Sequence, residues 1–206
     1  MLQLALCMVA TRYARLSSQP VSIQQIQQEL TQNIYYTRAS TRTLLLTGYN
    51  PCTEKFEPLA TLRVVIGARA SDQCAPLKAM DLLTSDGGWD NFTFADFNAE
   101  MAIELGRFAI MPHLGQAHHQ HVWLNALITF KLVEAAYHIG VHRYQKHQLW
   151  AIMPRYVVRI TEAAGIKTLA APGITLNSQK QAALFKKLDW YWMRSKPGFY
   201  RLFLPE

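Results

Sequence analysis

The stretch Glu104-Leu105-Gly106-Arg107-Phe108-Ala109-Ile110-Met111-Pro112 constrains this chain most. It reads as a strand that begins near Ile103 and is closed by Pro112, which has no N–H to give to a ladder. A Glu and an Arg three apart on a mostly apolar strand are costly to bury unless paired with each other or put to use. The small-residue turn His113-Leu114-Gly115-Gln116-Ala117 follows. Then Leu124, Leu127, Ile128, Leu132, Ala135, Ala136 and Ile139 recur at helical spacing, with Gly140 placed as the C′ residue. A strand, a glycine turn and a helix N-terminus leave amide N–H groups pointing outward, the makings of an anion site.

The remaining elements follow from the same signals. Leu2 to Ala10 is apolar, too short to span a bilayer and preceded by no basic residue, so it is expected to be a core-facing helix or strand. Ser22 to Gln32 reads as a helix with Ile23, Ile26 and Leu30 on one stripe. Thr43 to Thr47 reads as a strand ended at Gly48-Tyr49-Asn50-Pro51, and Leu59 to Gly67 as a second strand antiparallel to it. Asp72 to Asn98 is loop-rich, with a turn at Asp86-Gly87-Gly88 and Phe92, Phe94 and Phe97 plugging the core. Gln148 to Met153 is an apolar strand ended by Pro154, and Tyr156 to Ala164 a helix closed by Gly165. Ile166 to Ala171 is expected as a strand, Ser178 to Leu188 as a helix, and Phe199 to Leu204 as a closing strand.

At Glu104-x-x-Arg107-Phe108-Ala109-Ile110 the chain resembles a family. The motif looks like the fourth strand of the acyl-homoserine lactone (autoinducer) synthases and the long-chain N-acyl amino acid synthases. These form a branch of the GNAT superfamily of N-acyltransferases. Gly115-x-Ala117 is similar to the end of that superfamily's pyrophosphate loop, Gln/Arg-x-x-Gly-x-Gly/Ala. Pro112 stands where the Gln or Arg belongs, which fits the branch that takes its acyl group from an acyl carrier protein. Thr61 to Val65 is similar to the family's third strand, where an Arg, here Arg63, faces the cleft. Gln148 to Met153 and the following helix resemble the fifth strand and its helix. The resemblance implies an α/β (α+β) fold: a GNAT-like mixed, mostly antiparallel central sheet flanked by helices, with splayed parallel fourth and fifth strands. A chain of 206 residues suits one such domain, residues 1–206.

The resemblance also implies a reaction: transfer of a long-chain fatty acyl group from a carrier-protein thioester to the amine of an amino acid such as tyrosine. Glu104 is the expected proton acceptor, and Arg107 either pairs with it or receives the substrate carboxylate, a role for which Arg63 competes. In a regular strand positions 104 and 107 point to opposite faces, so both serve one site only if a bulge intervenes, and Gly106 makes one easy. Backbone amides around Phe108, Ala109 and Ile110 would polarise the acyl carbonyl. Gly115 and Ala117 would face the pantetheine, and Trp150, Met153 and Tyr156 would line an acyl tunnel. Tyr156 could instead protonate the leaving thiolate, as an equivalent Tyr does in many GNAT enzymes. The family's N-terminal Arg has no clear match; Arg38 and Arg42 are the nearest basic residues.

The net charge of +7 calls for an acidic partner, and acyl carrier proteins are acidic. No tightly bound cofactor is expected; the acyl-phosphopantetheine of the carrier protein would be a co-substrate. Cys7, Cys52 and Cys74 lack metal spacing, and their odd number points to a reducing, cytoplasmic setting. His118, His119 and His121 lack a Cys or a second acidic ligand beside them and are read as a solvated cluster. Two alternatives stay open. One is an acyl-homoserine lactone synthase, although that family's N-terminal Arg, Trp and paired Asp pattern is not evident. The other is a basic, non-catalytic nucleic-acid-binding domain, which the charge alone suggests and the scattered Lys and Arg disfavour.

Overall fold

The computed structural model describes residues 1–16, 22–68, 76–111, 120–176 and 197–205. Its elements are α1 (Leu2–Leu16), α2 (Ile23–Thr31), α3 (Ile34–Thr37), β1 (Thr41–Asn50), β2 (Lys55–Ile66), α4 (Lys78–Leu82), β3 (Leu83–Ser85) and β4 (Ala102–Ile110). After these come α5 (Gln120–Tyr144), β5 (Gln148–Met153), α6 (Arg155–Ala163), β6 (Lys167–Ala170), β7 (Ile174–Leu176) and β8 (Gly198–Phe203). Among the described residues the main sheet has six strands in the order β1-β2-β4-β5-β8-β6. Only β4 and β5 run parallel; their neighbours pair antiparallel. This is the mixed sheet with a central parallel pair that the resemblance implied. None of the described helices is long and apolar enough to cross a membrane.

Side-chain alternation divides the core between the two faces of the sheet. Leu62, Val64, Ile103, Leu105, Leu149 and Ala151 point to one face, where α5 supplies Ile128, Leu132 and Ala136 and α6 supplies Val157. The other face is covered at one end by α1 and α2 through Leu6, Val9, Ile26 and Leu30. At its other end Phe92 and Phe97 close over Trp150 and Phe199, with ring centroids 5.0 Å apart for Phe97 and Trp150 and 4.8 Å for Trp150 and Phe199. The expected aromatic plug is therefore present. Ile23, placed on the apolar stripe of α2, is 40% exposed and stays outside it.

Several boundaries differ from the sequence expectations. β1 continues past Gly48 to Asn50, because a register shift after Leu46 keeps it paired with β2 through the apparent turn signal. Gly140 does not end α5. It lies inside the helix, where a Cβ would run into the Ile103 side chain, so it is there for close packing against β4. The helix ends one turn later: Gln145 takes a left-handed φ of 57° and Lys146 N–H closes onto the Gly140 carbonyl at 2.9 Å. The small β3–β7 sheet was not anticipated, since three-residue strands carry no readable period. The helix expected over 178–188 lies outside the described residues.

Gly67 joins the end of β2 to the start of β4. Its N–H donates to Ala102 O at 2.8 Å, and a Cβ there would overlap the Ala99 carbonyl oxygen. Because that obstacle is backbone, Gly67→Ala should cost stability by about 1–3 kcal/mol or more through overpacking. Urea denaturation of the variant beside wild type measures it.

Candidate active site

β4 carries one residue more than its partner. Arg63 pairs with Gly106 and Thr61 with Ala109, so Leu62 alone spans Arg107 and Phe108. Arg107 adopts φ of 54°, the left-handed conformation that a bulge can impose on a non-glycine residue. Alternation restarts after it: Phe108 and Ile110 pack on the α5 face and Ala109 on the α1–α2 face. In an unbroken strand Arg107 would share the α5 face with Leu105. The bulge turns it to the other face, where its guanidinium carbon lies 5.0 Å from the Tyr13 ring centroid of α1. Glu104, Arg107 and Arg63 consequently share one face of the sheet.

The ladder between β4 and β5 runs from Ala102↔Gln148 to Leu105↔Ala151 and stops there. β5 continues beside β8 to Met153↔Gly198, so the parallel strands part. A cavity of about 120 Å³ lies at the parting. On the α5–α6 side Val133, Met153, Val157 and Leu202 line an apolar limb. On the α1–α4 side the wall is polar, with Arg12, Tyr13, Arg63, Lys78, Glu104 and Arg107. At the seam, Met111 N–H donates to Leu59 O at 2.8 Å across to β2. By strand alternation the Ile110 N–H faces the opposite way, toward the gap.

Glu104 is 2% exposed, and burial pushes its carboxyl above the usual range. Arg63, the Ala79 N–H and Lys78 oppose that shift, and Asp81 adds to it. Oε2 accepts the Ala79 N–H at 2.6 Å, while Oε1 is 3.7 Å from Arg63 Nη2. Arg63 fits because the facing residue has no side chain: a Cβ on Gly106 would sit 3.0 Å from Nη2. Burial lowers the Arg63 pKa, and Arg107 repels it further. Burial also works against Arg107, but the Tyr13 and Tyr36 hydroxyls outweigh it, with a hydrogen bond donated to Tyr13. Lys78 is buried as well, which brings its ammonium down to about 8.

Of the residues singled out from sequence, Glu104, Arg107, Arg63, Phe108, Ala109, Met153 and Tyr156 all border this cavity. Ile110 packs into the core beside it. Trp150 does not line it: fully buried, the indole is enclosed by Phe97 and Phe199 with Arg201 over its ring. Gly115 and Ala117 lie outside the described residues, as do Pro112, His118 and His119. Arg38 and Arg42 are not part of the lining; Arg42 donates to the Ala39 and Thr41 carbonyls at 2.6 and 2.8 Å. Among the described residues no three His, Cys, Asp or Glu side chains are grouped to hold a metal ion. Sequence reasoning missed Arg12, Tyr13 and Lys78. A lone lysine inside Leu77-Lys78-Ala79-Met80 was the available signal for Lys78.

No family model and no curated protein matches the chain. Among solved structures it is similar to a chimera of the spermidine N-acetyltransferase SpeG from Vibrio cholerae and hSSAT. The identity is 10%, over 89% of this chain and 76% of that one, with a TM-score of 0.35. A likeness at that level carries no argument about the activity of this chain.

The raised carboxyl has a signed consequence. A folded-state pKa above the unfolded one means that Glu104 favours folding while protonated, and that this contribution is lost as pH rises through the folded value. Glu104→Gln has no proton to lose. Its melting temperature relative to wild type should therefore climb between pH 4.5 and neutrality. Paired thermal melts across that range check the slope; a flat difference means that Arg63 and the Ala79 N–H offset the burial.

Proposed function

We propose that the cavity is the active site of an N-acyltransferase. Its substrates are a long-chain acyl thioester of acyl carrier protein and the amine of an amino acid. The supporting observation is a buried carboxyl of raised pKa on the polar side of a cavity whose other limb is apolar and reaches through the parted strands. An acyl chain suits the apolar limb, and a polar acceptor suits the charged one.

In this reading the amine nitrogen attacks the thioester carbonyl carbon. A C–N bond forms, the C–S bond breaks, and the sulfur leaves as a thiolate of pKa about 8.5. Glu104 accepts the proton that the amine gives up. The Ile110 N–H, left without a β5 partner, stabilises the developing oxyanion. Tyr156, in the first turn of α6 and on the cavity wall, is the candidate proton donor to the leaving sulfur. Arg63 and Arg107 are the candidates for the carboxylate of the amino acid. The carrier-protein donor is favoured over coenzyme A by Pro112 in place of the loop's Gln or Arg, and by the net charge of +7.

Glu104→Gln keeps size and hydrogen-bonding capacity but removes basicity. Turnover per folded molecule should fall by roughly 10²–10⁴-fold, the range for losing a general base. The deficit should shrink as pH rises and more of the amine is already neutral. A pH–rate profile reads both effects; an unchanged rate assigns Glu104 to structure alone. The donor is tested separately. Transfer from acyl carrier protein should weaken steeply as salt screens the basic surface. Efficient, salt-indifferent turnover with acyl-coenzyme A would replace the carrier protein as donor. Mass spectrometry of lipid extracts from expressing cells identifies the acyl length and the amine.

A further inference from the structure

One cation of the polar wall keeps buried donors without acceptors, and a second lies beside it. Arg63 is 3% exposed, yet its Nε and Nη1 have no hydrogen-bond partner among the described residues. Its contact with Glu104 is an ion pair at 3.7 Å through Nη2, too long for a hydrogen bond, and leaves the other donors unmet. Lys78 is 4% exposed and lines the same cavity. Its ammonium rests 4.8 Å from the Tyr35 ring centroid, and the Arg63 guanidinium carbon lies 5.9 Å from the same ring. Tyr35 is itself committed, its hydroxyl donating to Asp81 Oδ2 at 2.6 Å. Arg107 differs from both, being stacked on Tyr13 and hydrogen-bonded to it. Buried cations persist where an acceptor is supplied, and both side chains border the cavity.

The geometry points to a carboxylate-binding subsite formed by Lys78 with Arg63, which holds the acid group of the acyl acceptor and selects anionic over neutral or cationic amines. The inference rests on the acyltransferase reading of the cavity. It assigns the carboxylate to Arg63 rather than Arg107, and it gives Lys78, one of the residues that sequence reasoning missed, a direct contact with substrate. It also makes recognition depend on pH. Lys78 faces Asp81 on its own helix, Arg63 from β2, Glu104 and Arg107 from β4, and the Tyr35 ring from α3, with Arg12 and Tyr13 of α1 on the same cavity. Burial brings its ammonium down to about 8, Arg63 and Arg107 push the same way, and Asp81 and Glu104 oppose. A carboxylate binds the charged form, so affinity should decline as pH rises through about 8.

The test is direct binding, by titration calorimetry, of N-dodecanoyl-tyrosine and its methyl ester to the full chain. Wild type should bind the acid roughly tenfold to a hundredfold tighter than the ester, as a charged hydrogen bond warrants. Lys78→Met, close in shape, should lose most of that preference, and ester affinity confirms that the variant is folded. Lys78→Arg should retain the preference and lose the weakening near pH 8. Equal affinity for acid and ester in wild type, a preference untouched in Lys78→Met, failure of both probes to bind, or displacement of the acid by equimolar inorganic phosphate would each overturn the subsite. The two readings fail separately. Acid selectivity without acyl transfer to any amine sinks the acyltransferase and leaves an anion site, whereas transfer without acid selectivity sinks the subsite alone.

Discussion

The extra residue in β4 is the constraint on which the rest of the site depends. One added position, held in a left-handed backbone at Arg107, reverses which face every later residue of the strand presents. It brings Arg107 beside Tyr13 and onto the face of Glu104 and Arg63. It also coincides with the end of pairing to β5, since the last matched pair, Leu105↔Ala151, immediately precedes Gly106. A regular strand could continue the parallel ladder and close the gap. The bulged strand keeps β2 as its partner and leaves its other edge open. The cavity and the charged face thus share one backbone cause.

Charge is arranged across this cavity with little internal compensation. Arg12, Arg63, Lys78 and Arg107 border it, and Glu104 is the carboxylate among its lining residues. Burial raises Glu104 and lowers Lys78, so each is pulled toward its neutral form by the same low-dielectric surroundings. For the proposed chemistry on an amine this is useful, because a carboxyl that holds its proton more tightly is a stronger base once ionised. The same burial leaves Arg63 Nε and Nη1 without an acceptor among the described residues. Stability and the proposed function therefore meet at one cluster, where α4 supplies both the Ala79 N–H and the Lys78 ammonium.

Much of the architecture was legible. The strands at residues 102–110 and 148–153, the helix between them and the Gly165 turn follow from hydrophobic period and from proline and glycine punctuation. The need for a bulge was legible too, because Glu104 and Arg107 could not otherwise share a site. Other signals misled for a physical reason. Gly140 carries the signature of a helix cap, but tertiary contact with Ile103 uses the missing side chain for packing. Gly48 carries the signature of a turn, but pairing with β2 holds the strand through it.

Local chemistry and spacing along the chain therefore determine the order of the elements and their faces, while the resemblance at Glu104, Arg107 and Arg63 supplied the site candidates. Such properties depend on neighbours within a few residues and can be read linearly. The meeting of Lys78 from α4, Tyr35 from α3, Tyr13 from α1 and Arg63 from β2 depends on how separated segments stack over the sheet. So does the enclosure of Trp150 by Phe97 and Phe199, which takes it away from the cavity it was expected to line. Burial and nonlocal charge set both the raised carboxyl of Glu104 and the lowered ammonium of Lys78, and neither exists until the chain has folded.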